Sequence, residues 1–199
     1  MTALSDDEIH QIVQRVLAQA MGSGPAQPAA PATPPPAPKE SAPAPSKPGA
    51  KIVVLGADHG GVDLKEILKA DLTEQGYDVR DVGTYTKAAV DYPEFAHEVA
   101  RRVADGRAWR GIMIDGAGIG SCIVANKVPG VRAGMAYDLS SALNSREHND
   151  TNVLTLGAGL IGPNLARQIV KAWLTTEFGG GRHAKRVDGI TAVEKQYLK

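Results

Sequence analysis

The ten residues Gly111-Ile112-Met113-Ile114-Asp115-Gly116-Ala117-Gly118-Ile119-Gly120 join an unbroken apolar run to a carboxylate and three closely spaced glycines. An apolar run this short, with no alternation, suits a parallel strand covered on both faces. The glycines at 116, 118 and 120 free the backbone for a tight turn that a ligand can approach. Ser121 to Lys127 reads as a helix, whose first N–H groups would point at whatever sits over Asp115 and favour a phosphate or a developing oxyanion. A glycine pattern alone also fits an ordinary strand-to-helix turn.

Outward from there, the same strand-turn-helix unit recurs from Lys51 on. Ile52 to Leu55 reads as strand one, followed by Gly56-Ala57-Asp58-His59-Gly60-Gly61 and a helix through about Gln75. Tyr77 to Val82 reads as strand two, and Asp91-Tyr92-Pro93 opens a helix to about Ala104. Beyond the central turn come strand four (Val131 to Ala136), a helix from Asp138 to about Arg146, and strand five (Val153 to Leu156). A helix from Pro163 to about Thr176 and a last helix from about Arg186 complete the pattern. This alternation predicts an α/β fold, a Rossmann-like open five-stranded mostly parallel sheet with helices on both faces.

Ligands of such sheets bind outside the carboxyl ends of the strands. Asp58 and His59 follow strand one, Asp115 follows strand three, and the ends of those strands are expected to be neighbours. His148-Asn149-Asp150 stands just before strand five. Gly179 to Arg186 holds a basic cluster in which Arg182 and Arg186 are four apart; if the last helix starts early they share a face and can grip one phosphate.

Composition removes several classes of function. The 199 residues are 43% hydrophobic, enough for one core, and no apolar run approaches the roughly 20 residues of a membrane span. Lys plus Arg and Asp plus Glu balance at 22 each, so no overall field draws the chain to nucleic acid or anionic lipid. The single Cys122 excludes an internal disulfide, fits a reducing compartment, and suits a buried small apolar residue. With no secretory signal at the N-terminus, the expected location is the cytosol. There is no zinc-ligand spacing and no Walker-type loop, and GAGIGS lacks the acidic ribose partner of a dinucleotide turn. His10 and His97 read as solvated helix residues, Trp109 and Trp173 as packing residues.

Residues 4 to 20 carry a separate signal: Ser5 and Glu8 form a capping box, and Ile9, Ile12, Val13, Val16, Leu17 and Ala20 recur on one helical face. A helix of about 16 residues is marginal alone in water and needs a surface to lie on. Ten of the 13 prolines fall between Pro25 and Pro48, among Ala, Ser and Gly, which makes a semi-rigid linker. The expected organisation is an amphipathic targeting helix (1–20), a Pro/Ala-rich linker (21–50) and a folded domain (51–199). The helix-on-a-tether layout resembles the encapsulation peptides of bacterial microcompartments, which implies shell or cargo proteins as partners of residues 1–20.

The domain resembles ribose-5-phosphate isomerase type B, in the superfamily that includes the galactose-6-phosphate isomerase subunits. The resemblance rests on GADHGG at 56–61, DYP at 91–93, ANKVPGVRA at 125–133, HNDTNVL at 148–154, and GGRH with Arg186 near the end. It implies aldose-ketose interconversion through an enediol, with no metal or other cofactor, in a homodimer or a tetramer of paired dimers, with active sites between subunits. The expected location is the bacterial cytoplasm, inside a microcompartment, and the charge balance gives no nucleic-acid or membrane partner. By the resemblance, His148 opens the sugar ring with Asp58 and Tyr92 nearby. Asn149 and the turn residues Gly116, Ala117, Gly118, Gly120 and Ser121 contact the enediolate end, and His59, Arg182 and Arg186 hold the phosphate.

The chain departs from the family pattern at three places. Where one branch has a Cys as proton-transfer base, this chain has Asp115, followed by Ala117 in place of Thr; the other branch's Glu is Ser121, and an Arg that contacts phosphate is Gly159. The A subunit of galactose-6-phosphate isomerase also has Asp at the Cys position. A carboxylate suits the chemistry if burial raises its basicity toward the working pH, so Asp115 is the expected base. The departures leave open ribose 5-phosphate, another sugar phosphate, or an inactive isomerase fold kept as cargo or scaffold.

Overall fold

The computed structural model describes residues 49–198; the expected targeting helix, and all but the last two residues of the linker, lie outside them. Five strands form one sheet in the order β2-β1-β3-β5-β4: β1 (Ile52–Ala57), β2 (Asp78–Asp81), β3 (Arg110–Asp115), β4 (Ala133–Met135) and β5 (Val153–Gly157). All four strand pairs are parallel. The helices are α1 (Val62–Glu74), α2 (Tyr92–Ala104), α3 (Ile119–Ala125), α4 (Leu139–Glu147), α5 (Pro163–Thr175) and α6 (Arg182–Tyr197).

The central strands are apolar without interruption because both faces are covered. Val53 and Leu55 of β1, with Ile112 and Ile114 of β3, pack against Leu64, Leu68 and Leu72 of α1 and Ile169 and Trp173 of α5. The residues between them, Val54 and Met113, turn to the other face and meet Phe95, Ala96, Val99, Ala100 and Val103 of α2. Each large apolar side chain buried there contributes roughly 1.5–3 kcal/mol. Trp173, fully buried, donates its indole N–H to Thr151 Oγ1 at 2.9 Å. No helix among the described residues is long and apolar enough to cross a membrane.

Two helix starts differ from the sequence expectation. The helix after the glycine turn begins at Ile119 because Gly118, at φ 80°, makes the left-handed step that starts it. The last helix begins at Arg182, directly after Gly180 and Gly181, both at positive φ. Arg182 and Arg186 therefore do lie one turn apart on one helix.

Candidate active site

β1 and β3 are neighbours, and the chain leaves them toward opposite edges of the sheet, which makes their carboxyl ends the switch point. Asp58 sits there, 6% exposed. Its Oδ1 accepts the Gly60 and Gly61 amides at 2.9 and 3.1 Å, while its Oδ2 has His59 Nδ1 at 4.0 Å. Burial pushes the Asp58 carboxyl up from the ordinary range, and nearby Asp115 adds to that; the two amides and His59 oppose it. His59 Nδ1 also lies 3.2 Å from Val90 O and 3.3 Å from Val90 N.

Asp115, the expected base, ends β3 and is 4% exposed. Its Oδ1 accepts the amides of Ala117 and Gly118, and its Oδ2 accepts the amide and the hydroxyl of Ser121. A carboxylate has about four lone-pair sites, and all are used by its own turn. Asp115 thus caps the start of α3 itself, in the place expected for a ligand. The amides of Ala117, Gly118 and Ser121, expected to contact a ligand, point at Asp115, and Ser121 is fully buried. The amides of Gly116, Ile119 and Gly120 are the ones in this turn that Asp115 does not engage. Tyr92, at the start of α2, lays its ring on Gly120.

His148, Asn149, Arg182 and Arg186 are at the other end of the sheet. The register pairs Gly111 with Val153 and Asp115 with Gly157, so residues that precede β5 sit at the amino end of β3. Four steps along a strand separate the two ends, roughly 13 Å. Asp150, at φ 47°, turns the chain into β5 and is clamped at 2.8 Å by both Arg132 and Arg146. His148 ends α4 and stacks on His183, with ring centroids 4.1 Å apart and planes 6° apart. Burial, with His148, Arg182 and Arg186 nearby, pushes the His183 imidazole down from its ordinary value. One chain therefore brings together Asp58, His59, Tyr92 and the 115–121 turn, and separately His148, Asn149, Arg182 and Arg186. It does not bring the two groups together.

An open all-parallel sheet with carboxylates at its switch point, and histidines beside two helix-borne arginines at its other end, defines a protein of the α/β class. Residues 53–190 match the Ribose/Galactose Isomerase family, and the chain belongs to it. Across 146 residues it is 46% identical to the ribose-5-phosphate isomerase B of Escherichia coli (strain K12), covering 73% of this chain and 98% of that protein. It is 42% identical over 146 residues to the D-erythrulose-4-phosphate isomerase of Pectobacterium atrosepticum, covering 72% and 95%. The solved structure of Clostridium thermocellum ribose-5-phosphate isomerase B aligns with a TM-score of 0.73 at 48% identity, over 74% of this chain and 99% of that one. The chain is a sugar-phosphate isomerase of the aldose-ketose type.

Among the described residues no cluster of His, Cys, Asp or Glu is placed to hold a metal ion. Cys122 is half-buried with its Sγ 3.5 Å from Ala133 O, and burial pushes the thiol up. Sequence reasoning missed Arg132 and Arg146, which build the corner after Asn149, and Asn144, which touches both His148 and Asn149. Arg132 lies inside the ANKVPGVRA motif, and Asn144 is one helical turn before His148; those spacings were the available signals.

Proposed function

We propose that the enzyme interconverts ribose 5-phosphate and ribulose 5-phosphate through an enediol, without metal or other cofactor, at a site closed by a second copy of the chain. The observation that carries this reading is the division of the site residues between opposite ends of one sheet. A carboxylate and glycine turn alone have no phosphate anchor, and Arg182 and Arg186 alone have no base. Two copies related by a two-fold axis supply each half twice. Exposed Ile119 and Ile123 on α3, Leu143 on α4, and Ile190 and Val193 on α6 give such a pairing apolar surface to bury. The Escherichia coli and Clostridium relatives support the five-carbon substrate.

In this reading the ring oxygen takes a proton from His148 as its bond to C1 breaks, and the C1 hydroxyl gives one up. A base then moves the proton on C2 to C1 while the hydroxyl proton on O2 passes to O1 through the enediol, so C2 is oxidised and C1 reduced with no external electrons. Asp58 is the better-placed base, because Asp115 spends both oxygens on its turn and Asp58 keeps one for substrate. Asn149, Tyr92 and the Gly116 and Gly120 amides face the enediolate, and His59 with the second copy's arginines holds the phosphate. Gly159 in place of an arginine, together with the Pectobacterium relative, favours a different sugar phosphate as the second reading.

Solvent exchange in D2O tests both. Deuterium entering the C1–C2 unit of ribose 5-phosphate faster than four- or six-carbon sugar phosphates supports the first reading, the reverse order supports the second, and no exchange into any leaves only a binding or scaffolding role. Residues 1–20 are proposed to deliver the enzyme to a microcompartment. Deleting them is expected to leave turnover unchanged and to abolish co-assembly with shell protein; undiminished co-assembly would refute the targeting role.

A further inference from the structure

We infer that Asn144 is a positioning residue that fixes the tautomer of His148, so that its Nε2 carries the proton and presents it as a donor. One atom beside His148 has a fixed polarity. The backbone carbonyl of Asn144 can only accept, and the side-chain amide of Asn149 lies 3.3 Å from it, so the Asn149 atom there is Nδ2. The same Nδ2 lies 3.3 Å from the Asn144 side chain, whose atom on that side must then be the oxygen, Oδ1. This orients the Asn144 amide with its NH2 group toward His148, where it donates to Nδ1 at 2.8 Å. An Nδ1 that accepts carries no hydrogen, and a neutral imidazole then has its hydrogen on Nε2.

The surroundings preserve that state. A hydrogen on His148 Nδ1 would face the Asn144 amide hydrogens. His183 covers one face of the ring, and its Nε2 accepts from Arg182 Nε at 3.4 Å, so the stacked neighbour brings no second cation to the ring. The other charged groups near the pair are Arg182, Arg186 and Glu147, whose Oε1 is 3.9 Å from His148 Nε2. Asn144 is exposed on α4, so changing it leaves the core alone. The same amide couples the two groups on this end of the sheet, since Asn149 is held through the Asn144 oxygen while His148 is held through its nitrogen. The chemical consequence rests on the isomerase reading above: a ring-opening acid must offer Nε2–H, and the opposite tautomer offers a lone pair.

The experiment is nitrogen-15 NMR of the imidazoles in the full-length protein, with the His148 signals identified by their loss in His148→Gln. Wild type is expected as the Nε2–H tautomer. Asn144→Asp replaces the donor with an acceptor of the same size and is expected to switch the ring to Nδ1–H, while Asn144→Leu gives a mixture. In parallel, kcat for ribose 5-phosphate should fall about a hundredfold in Asn144→Asp, the scale of a lost general acid, with KM within about threefold. An Nδ1–H ring in wild type, or a tautomer that ignores both substitutions, overturns the inference. Wild type that shows the expected tautomer but turns over no sugar phosphate refutes the isomerase reading instead and leaves the role of Asn144 standing.

Discussion

A methyl group built on Gly120 would stand 2.5 Å from the hydroxyl oxygen of Tyr92, so the absence of a side chain at 120 is what lets that ring lie across the first turn of α3. Tyr92 is 37% exposed and can swing away, so Gly120→Ala should leave the fold intact and misplace the phenol. The expected result is a loss of roughly tenfold to a hundredfold in kcat/KM with little change in thermal midpoint. Gly118→Ala is the contrast. Its φ of 80° and a backbone carbon of Leu156 at 3.0 Å from the new methyl leave nothing to yield, and the cost should appear in stability, about 1–2 kcal/mol from the backbone alone.

The two carboxylates should respond oppositely to the same substitution. In Asp58→Asn the remaining oxygen can keep the Gly60 and Gly61 amides and the new NH2 can take the place of Oδ2, so the protein should fold normally and lose exchange by at least about a hundredfold. In Asp115→Asn an NH2 must face either the turn amides or the Ser121 backbone N–H, all donors, which should destabilise the fold by about 1–3 kcal/mol. A normally stable but inactive Asp115→Asn, beside an active Asp58→Asn, would return the base role to Asp115.

The pH dependence follows from the direction of the Asp58 shift. A base must be unprotonated, and burial with Asp115 alongside lifts this carboxyl above 3.8, so the acid limb of kcat/KM should lie higher than an ordinary aspartate would put it. His59 pulls in the other direction, and His59→Gln should move the limb further up. The readout is the position of the limb, which is separate from any loss of height due to weaker phosphate binding.

Much of this is legible in the sequence alone. Ile112-Met113-Ile114 announces a two-faced buried strand because neither face tolerates a charge, and the parallel order follows from the helices between strands. The split of the site was legible too: Asp115 follows its strand and His148 precedes its own, and in an all-parallel sheet those are opposite ends. The direction of the Asp115 carboxylate was not legible, because an aspartate before a helix can serve a ligand or its own chain and the choice is made by a few ångströms of loop. Nor could the Asn144 amide be oriented without the Asn149 contact to a carbonyl.

Because each complete site would draw Asp58 from one copy and His148 from the other, two inactive variants should rescue each other. In an equal mixture of Asp58→Asn and His148→Gln chains, half of the dimers are mixed, and each mixed dimer has one site with both residues intact and one with both removed. Co-expression should therefore restore about a quarter of wild-type turnover from two preparations that show almost none alone. A site contained in one chain gives a different result, since every chain then carries a defect in its own site and mixing restores nothing. The same mixture read by solvent exchange at C2 should recover to the same fraction, because exchange needs an opened ring as well as a base.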